Sequence, residues 1–252
     1  MPAAYDNYDY PAYWIGRDYE HESEVLAIRA FLRKIPKIKT VLEVGSGFGR
    51  LVPSYAFRAK KIILTEPSGK LLKISRLSYP EKNISFVQTT AKNLSKKIRR
   101  KSIDVAICVR VIHHVEETDE LIENVCHVLK DKGYFILEFA NKKHLKATFL
   151  EFLKGNFTFP IDIFPSDKRS AKSIKAATLP FLNYHPDEIT RKLIDCDFKV
   201  IETRSVSNIR SPFLKKLLST ESLVSLEKAL QVPLSYLNFG PSIFVLAQKR
   251  PH

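Results

Sequence analysis

Five residues, Gly45-Ser46-Gly47-Phe48-Gly49, close the short apolar run TVLEV and lead into a helix-forming segment. A strand that ends in such a turn presents backbone N–H groups to a ligand with no Cβ in the way. Its natural cargo is a nucleotide or nucleoside. Dinucleotide sites want a glycine at the sixth position of the turn, and here Arg50 stands there while the third glycine falls at 49. That favours a ligand smaller than NAD. Glu66 ends the next apolar run, next to the glycine turn, where a carboxylate can accept both ribose hydroxyls of a nucleoside. Its alternative role is an acid at a helix start, ahead of Pro67 and Ser68.

A second polar group lies in VRVIHHV, residues 109–115, with Arg110, His113 and His114. A neutral imidazole there can take a proton from a hydroxyl or an acidic carbon. The competing reading is a pair of histidines that cap the loop through backbone hydrogen bonds. The two are adjacent, so they point in different directions and one at most reaches a reacting atom. No third ligand at a sensible spacing completes a metal site.

These groups need a scaffold to bring them together. Residues 24–35 place Val25, Ile28, Leu32 and Ile35 on one helical face, and Pro36 stops that helix. Beyond it, TVLEVG, KIILTEP, NISFVQ, SIDVAICV and GYFILEFA read as five strands, alternating with helical segments at 68–77 and 117–129. Such alternation predicts an α/β fold with a parallel sheet covered on both faces. The pattern breaks over 141–183, an aromatic, proline-bearing and basic stretch that reads as an insertion capping the substrate, with Phe157, Phe159, Phe164 and Phe181 as its apolar lining. A helix (HPDEITRKLIDC), a strand (FKVIETRSVS), helical residues 212–231 and a closing strand (PSIFVLAQKR) follow.

Bulk composition narrows the field. The chain has 252 residues, a formal charge of +14 and 44% hydrophobic residues. No apolar run approaches 18 residues, so no membrane span is expected. Three well-separated cysteines fit neither a disulfide framework nor a zinc cluster and suit a reducing, cytoplasmic setting. The densest basic run, KNLSKKIRRK at 92–101, is either a solvated surface or a patch for RNA.

Taken together, the motifs resemble those of class I S-adenosylmethionine-dependent methyltransferases. VLEVGSGFGR resembles their first motif, LTEPS the acidic second-strand motif, SIDVAICVRVIHHV the fourth-strand motif and ENVCHVLKDKGYFILEFAN their Leu-Lys-x-x-Gly turn and fifth strand. The resemblance implies a Rossmann-like sheet of seven strands, mostly parallel with the last antiparallel, and S-adenosyl-L-methionine as cofactor. It also implies roles for individual residues: Glu43 buttressing the turn, Gly45 and Gly47 facing the methionine moiety, Glu66 the ribose, and Ser46, Gly49, Pro67, Val109 and Arg110 completing the cofactor site. Where the family offers an aspartate to the adenine amino group this chain has Thr90, so its hydroxyl and the Ala91 N–H are the remaining contacts. The 109–115 loop resembles the small-molecule and quinone-biosynthesis branch. It lacks the Asn-Pro-Pro-Tyr of exocyclic-amine methylases and the Pro-Cys pair of cytosine-C5 methylases, since Cys108 is inside the strand and followed by Val109. A small or lipid-like acceptor is therefore expected, with an RNA methyltransferase and a non-catalytic cofactor-binding module as alternatives.

One stretch fits none of this. YDNYDYPAYWIGRDYEHESE, residues 5–24, holds five of the ten tyrosines and the only tryptophan, and residues 1–24 carry six carboxylates and one arginine. Disordered tails are poor in aromatics. The expected division is an N-terminal lid and helix at 1–36 and a methyltransferase domain at 37–252. Tyr10, Tyr13, Trp14 and Tyr19 are the expected acceptor-side residues, and Arg17 the partner of the cofactor carboxylate.

Overall fold

Runs of β-branched and apolar residues form the strands of the computed structural model, which describes residues 6, 9–175 and 178–251. In chain order these are β1 (Thr40–Val44), β2 (Lys61–Glu66), β3 (Ile84–Gln88), β4 (Ile103–Cys108) and β5 (Leu129–Ala140). A two-stranded hairpin, β6 (Ser166–Asp167) and β7 (Leu182–Asn183), precedes β8 (Phe198–Val206) and β9 (Ser242–Lys249). The main sheet has the order β3-β2-β1-β4-β5-β9-β8. Strands β1 to β5 pair in parallel, and β9 runs antiparallel to both of its neighbours. This is the seven-stranded, Rossmann-like sheet that the motifs led one to expect. Connections leave β1 toward β2 on one side and reach β4 on the other, so the C-terminal ends of β1 and β4 form a switch point.

Side chains alternate between two cores because strand residues point to opposite faces in turn. Leu42, Ala106, Phe135 and Val245 pack with Ile122 and Leu193, from the helices Thr118–Val128 and Pro186–Asp195. Val41, Val105, Ile136 and Phe244 pack with Ile28, Phe31 and Leu32 of the helix Asp18–Lys34. Both faces are dry, which is why the strands read as near-continuous apolar runs.

Three elements differ from the sequence expectation. The first long helix begins at Asp18, not at residue 24, and draws Tyr19, Ser23 and Glu24 into the interior. Partners distant in sequence cause this: the Tyr19 hydroxyl donates to Glu227 at 2.6 Å, and Gln231 donates to the Ser23 carbonyl at 2.8 Å. After the glycine turn the helix is a single turn, Val52–Tyr55, followed by a 3-10 turn whose Arg58 caps the Leu32 and Ile35 carbonyls. Residues 212–231 split into Pro212–Leu217 and Thr220–Leu230, with Ser219 capping the second through the Ser222 N–H.

The insertion between β5 and the helix Pro186–Asp195 opens on Asn141, whose amide donates to the Asn238 and Gly240 carbonyls at 2.7 Å each. Lys142, almost wholly buried, donates to Asp162 and to the Phe164 carbonyl. Anchored there, the segment carries the helix Leu145–Leu153 and the β6–β7 hairpin.

Candidate active site

At the switch point lies a cavity of about 340 Å³. The glycine turn forms its floor. Gly45, Gly47 and Gly49 have φ of 69°, 56° and 86°, the left-handed region that side chains resist. A Cβ on Gly45 would sit 2.3 Å from Val111 Cγ2, and one on Gly49 would sit 2.7 Å from Ser75 Oγ. Gly45 thus lets the loop after β4 close over the turn, while Gly49 serves packing against the helix Gly69–Ser78 and does not line the cavity.

Glu66 stands at the cavity wall. Its Oε2 accepts from the Gly47 N–H at 3.0 Å and its Oε1 from the Ser68 N–H at 2.9 Å. An ionised carboxylate has about four acceptor sites, so two remain for ligand hydroxyls. Burial raises its pKa, the two N–H donors oppose that, and the Asp6 carboxylate adds to the rise. Asp6 itself accepts from the Ser68 hydroxyl at 2.6 Å, which brings the N-terminal segment to this wall. Pro67, Leu71, Thr89, Thr90 and Ala91 continue it. The Thr90 hydroxyl accepts from Asn93 Nδ2 at 3.3 Å.

Glu43 lies beneath the turn and outside the cavity, accepting from the Tyr55 hydroxyl. Burial pushes its carboxyl up to about 7 against that hydrogen bond. Ser46 is also behind the wall; its N–H donates to the Thr65 carbonyl at 2.9 Å.

On the opposite side, Val109 and Arg110 leave β4. Arg110 takes a left-handed backbone (φ 58°), its N–H donating to Glu138 at 2.7 Å. Its guanidinium reaches Glu24 at 2.6 Å, and Arg50 reaches the other oxygen of Glu24 at 2.5 Å. Burial alone would raise Glu24, but the two guanidiniums hold its carboxyl below the usual range. Over this triad lies Trp14: the Arg50 guanidinium is 3.4 Å and that of Arg110 4.9 Å from its ring centroid. Tyr10 packs edge-on to Trp14 and covers Gly47, and it lines the cavity. Glu24 and Arg50 were not among the expected site residues. The signal was a pair of opposite charges on segments that otherwise read as buried.

Two further expected members sit elsewhere. Tyr19 faces the C-terminal half, donating to Glu227 and accepting from the Ile209 N–H at 2.9 Å, so it straps the long helix and does not approach the cavity. Arg17 is exposed and lies over the half-buried Tyr13 ring at 4.1 Å, just ahead of the helix that begins at Asp18. Among the described residues, the arginine that lines the cavity is instead Arg110.

The two histidines have separate surroundings. His114 lines the cavity, and its Nδ1 lies 2.7 Å from the Pro180 carbonyl. A ring nitrogen facing a carbonyl oxygen must donate, so Nδ1 holds the proton and Nε2 the lone pair. Burial lowers the His114 pKa, and the Pro180 bond opposes this. His113 is buried behind it, its ring tilted against those of His114 and Phe181 with centroids 4.1 Å and 4.7 Å away. Burial, His114 and Arg110 drive its pKa far down. Among the described residues of the insertion, the 179–181 end reaches the site, Leu179 lining the cavity. Phe157 and Phe164 are exposed elsewhere, and Phe159 packs under Lys142, so the expected aromatic cap is reduced to Phe181 beside the histidines.

Residues 42–137 match the family model described as a methyltransferase domain. A ubiquinone biosynthesis O-methyltransferase from Nitrosomonas europaea is 27% identical over 106 residues, 41% of this chain and 45% of that protein. The match thus spans under half the length of that curated relative. Among solved structures, a chain from the complex of the Haloferax volcanii Trm112 methyltransferase activator with a methyltransferase superposes with a TM-score of 0.63 at 14% identity, covering 99% of this chain and 97% of that one. Magnesium protoporphyrin IX methyltransferase from Synechocystis, with bound SAH, gives 0.55 at 19% identity, covering 91% and 83%. Strand order, glycine turn and cavity define a Rossmann-like methyltransferase fold. With the domain match over residues 42–137, the fold and the site are those of class I S-adenosylmethionine-dependent methyltransferases. The left-handed glycines, the carboxylate at the wall and the apolar faces of Leu71 and Val111 suit that cofactor.

Proposed function

We propose that the enzyme methylates a small or lipid-like acceptor within the cytoplasm. The observation that carries this reading is the form of the cavity: about 340 Å³, bounded beyond the turn by Val111, Val115 and Leu179, with His114 as the titratable side chain on that apolar side. A polymer needs an open basic groove; an apolar pocket with few polar groups suits a small molecule.

S-adenosylmethionine supplies a methyl group on a positively charged sulfonium. In this reading the Gly45–Gly47 backbone and Arg110 hold its methionine end, Glu66 its ribose, and Thr90 and Ala91 its adenine. Tyr10 and Trp14 cover the turn and keep water out, which matters because the displacement depends on alignment and a dry site. His114 Nε2 removes the acceptor's proton as the bond forms, the Pro180 carbonyl fixing the tautomer that leaves that nitrogen basic. An oxygen nucleophile, the class named in the ubiquinone O-methyltransferase relatives, needs such a base.

The test is turnover with methyl-labelled cofactor against phenolic and amphiphilic hydroxyl compounds on one side and transfer RNA on the other. Label entering the small acceptors, and its loss in His114→Ala, is expected. Label entering RNA alone would overturn the proposal.

A further inference from the structure

The helix Leu145–Leu153 buries none of its residues, although most are large and apolar. Leu145, Phe149, Leu150, Phe152 and Leu153 are between 42% and 69% exposed. Such a surface on a water-soluble helix marks a contact site. Beside it runs a groove of about 780 Å³, formed with residues 208–212 and 239–241 and separate from the methyl-transfer cavity.

The groove is cationic. Lys146, Lys154, Lys168 and Arg210 line it, and its one lining carboxylate, Glu151, is paired with Lys154 at 2.8 Å. Among the described residues, the ion pairs leave Lys146, Lys168 and Arg210 without a carboxylate. His144, in the same groove, registers that field: burial first, then Arg210, Lys168 and Lys146, push its pKa down to about 4. In the helix Pro212–Leu217, whose Pro212 lines the groove, Phe213 and Leu217 are 70% and 67% exposed next to Lys215 and Lys216. Cations without a carboxylate partner in the groove and exposed apolar side chains on the two helices that border it call for an amphiphile with an anionic head.

We propose that this face rests on an anionic lipid bilayer, the groove taking a phospholipid phosphate while Phe149, Phe152, Leu153 and Phe213 enter the interface. A soluble phosphate would satisfy the cations and leave the apolar side chains in water. A second copy of this chain, meeting the same patch across a two-fold axis, would set cations against cations. Among the described residues no helix is long and apolar enough to cross a membrane, so the contact lies on the surface. The geometry also joins this face to the active site. The groove's Gly240 and Pro241 lead into β9, whose Ser242 pairs with Ala140 at the C-terminal end of β5, the sheet edge on which the cavity opens. The insertion that supplies the helix also supplies Leu179 to the cavity. The inference deepens the lipid-like acceptor reading without depending on it.

Co-sedimentation with vesicles tests it, with no acceptor present. The protein is expected to bind vesicles of phosphatidylcholine with phosphatidylglycerol, more weakly as salt rises, and not vesicles of phosphatidylcholine alone. The triple variant Lys146→Glu, Lys168→Glu, Arg210→Glu should reduce partitioning by about tenfold or more, since each basic residue near a charged membrane contributes roughly one kcal/mol. Phe149→Ser with Phe152→Ser and Leu153→Ser should do so even at low salt. These side chains are exposed, so each variant should keep the thermal shift that S-adenosylhomocysteine gives the wild type; that shift separates a failed membrane contact from a failed methyltransferase reading. Three results would overturn the proposal: no vesicle binding, equal binding to neutral vesicles, or binding of soluble glycerol phosphate that abolishes vesicle binding. A dimer dissolved by the Phe149, Phe152 and Leu153 changes would overturn it too, by giving the face to a second copy.

Discussion

His114 and His113 are neighbours with different environments, and their chemistry follows from that. A base must be neutral to accept a proton. Burial has lowered the His114 pKa below the roughly 6.5 of a free imidazole, so the base form is complete at neutral pH and activity is lost only as pH falls through the lowered value. His114→Ala should cut kcat by about 10²–10⁴ and remove that acid limb from the pH–rate profile. His113→Phe, which keeps a ring against Phe181, should leave the limb in place. At the adenine wall, Thr90→Val deletes one hydroxyl while keeping shape. A neutral hydrogen bond is worth about 0.5–1.5 kcal/mol, so titration calorimetry should show the cofactor Kd rising about two- to tenfold. An unchanged Kd would take Thr90 out of the site.

The N-terminal segment works as two elements joined at residue 17. The turn Tyr10–Tyr13 and Trp14 lie over the glycine turn and the arginines, whereas everything from Asp18 onward is a packed helix. Removal of residues 1–16 should therefore lower turnover and weaken cofactor binding with little change in the urea midpoint. Removal of residues 1–20 should also cost stability, because it strips Tyr19 from Glu227. Glu24, within that helix, holds the two arginines on which Trp14 rests. Glu24→Gln leaves Arg50 and Arg110 facing a neutral amide in a buried site, and breaking such a network costs about 3–5 kcal/mol. Equilibrium urea unfolding reads that loss directly. Retained stability with a weakened cofactor Kd would instead mean that the triad serves binding alone.

At the scale of the whole molecule, the charge of +14 is spread unevenly. The basic run at 92–101 is tied down by buried Leu94 and Ile98, with Lys92 paired to Glu120 and Lys101 to Asp131. Its remaining cations point into solvent on the side of the helix Leu94–Lys97. If the acceptor is small, replacing Lys96, Lys97, Arg99 and Arg100 by glutamine should leave kcat/KM unchanged at any salt concentration. A salt-dependent fall would return weight to RNA. The sheet, the glycine turn and Glu66 were legible from sequence because each is local: a strand pattern, a left-handed turn and a carboxylate at a strand end are written in consecutive residues. Tertiary structure alone decided the rest. Glu24 meets Arg110 across 86 positions and Tyr19 meets Glu227 across 208, and no periodicity encodes such partners. The same holds for the insertion. Its composition announced aromatics and lysines, but only the folded chain divides them, sending Leu179 to the cavity, Phe181 to the histidines beside it, and Phe149 and Phe152 to the surface. Burial is a property of the assembled fold, and a residue's role here depends on which side of that boundary it falls.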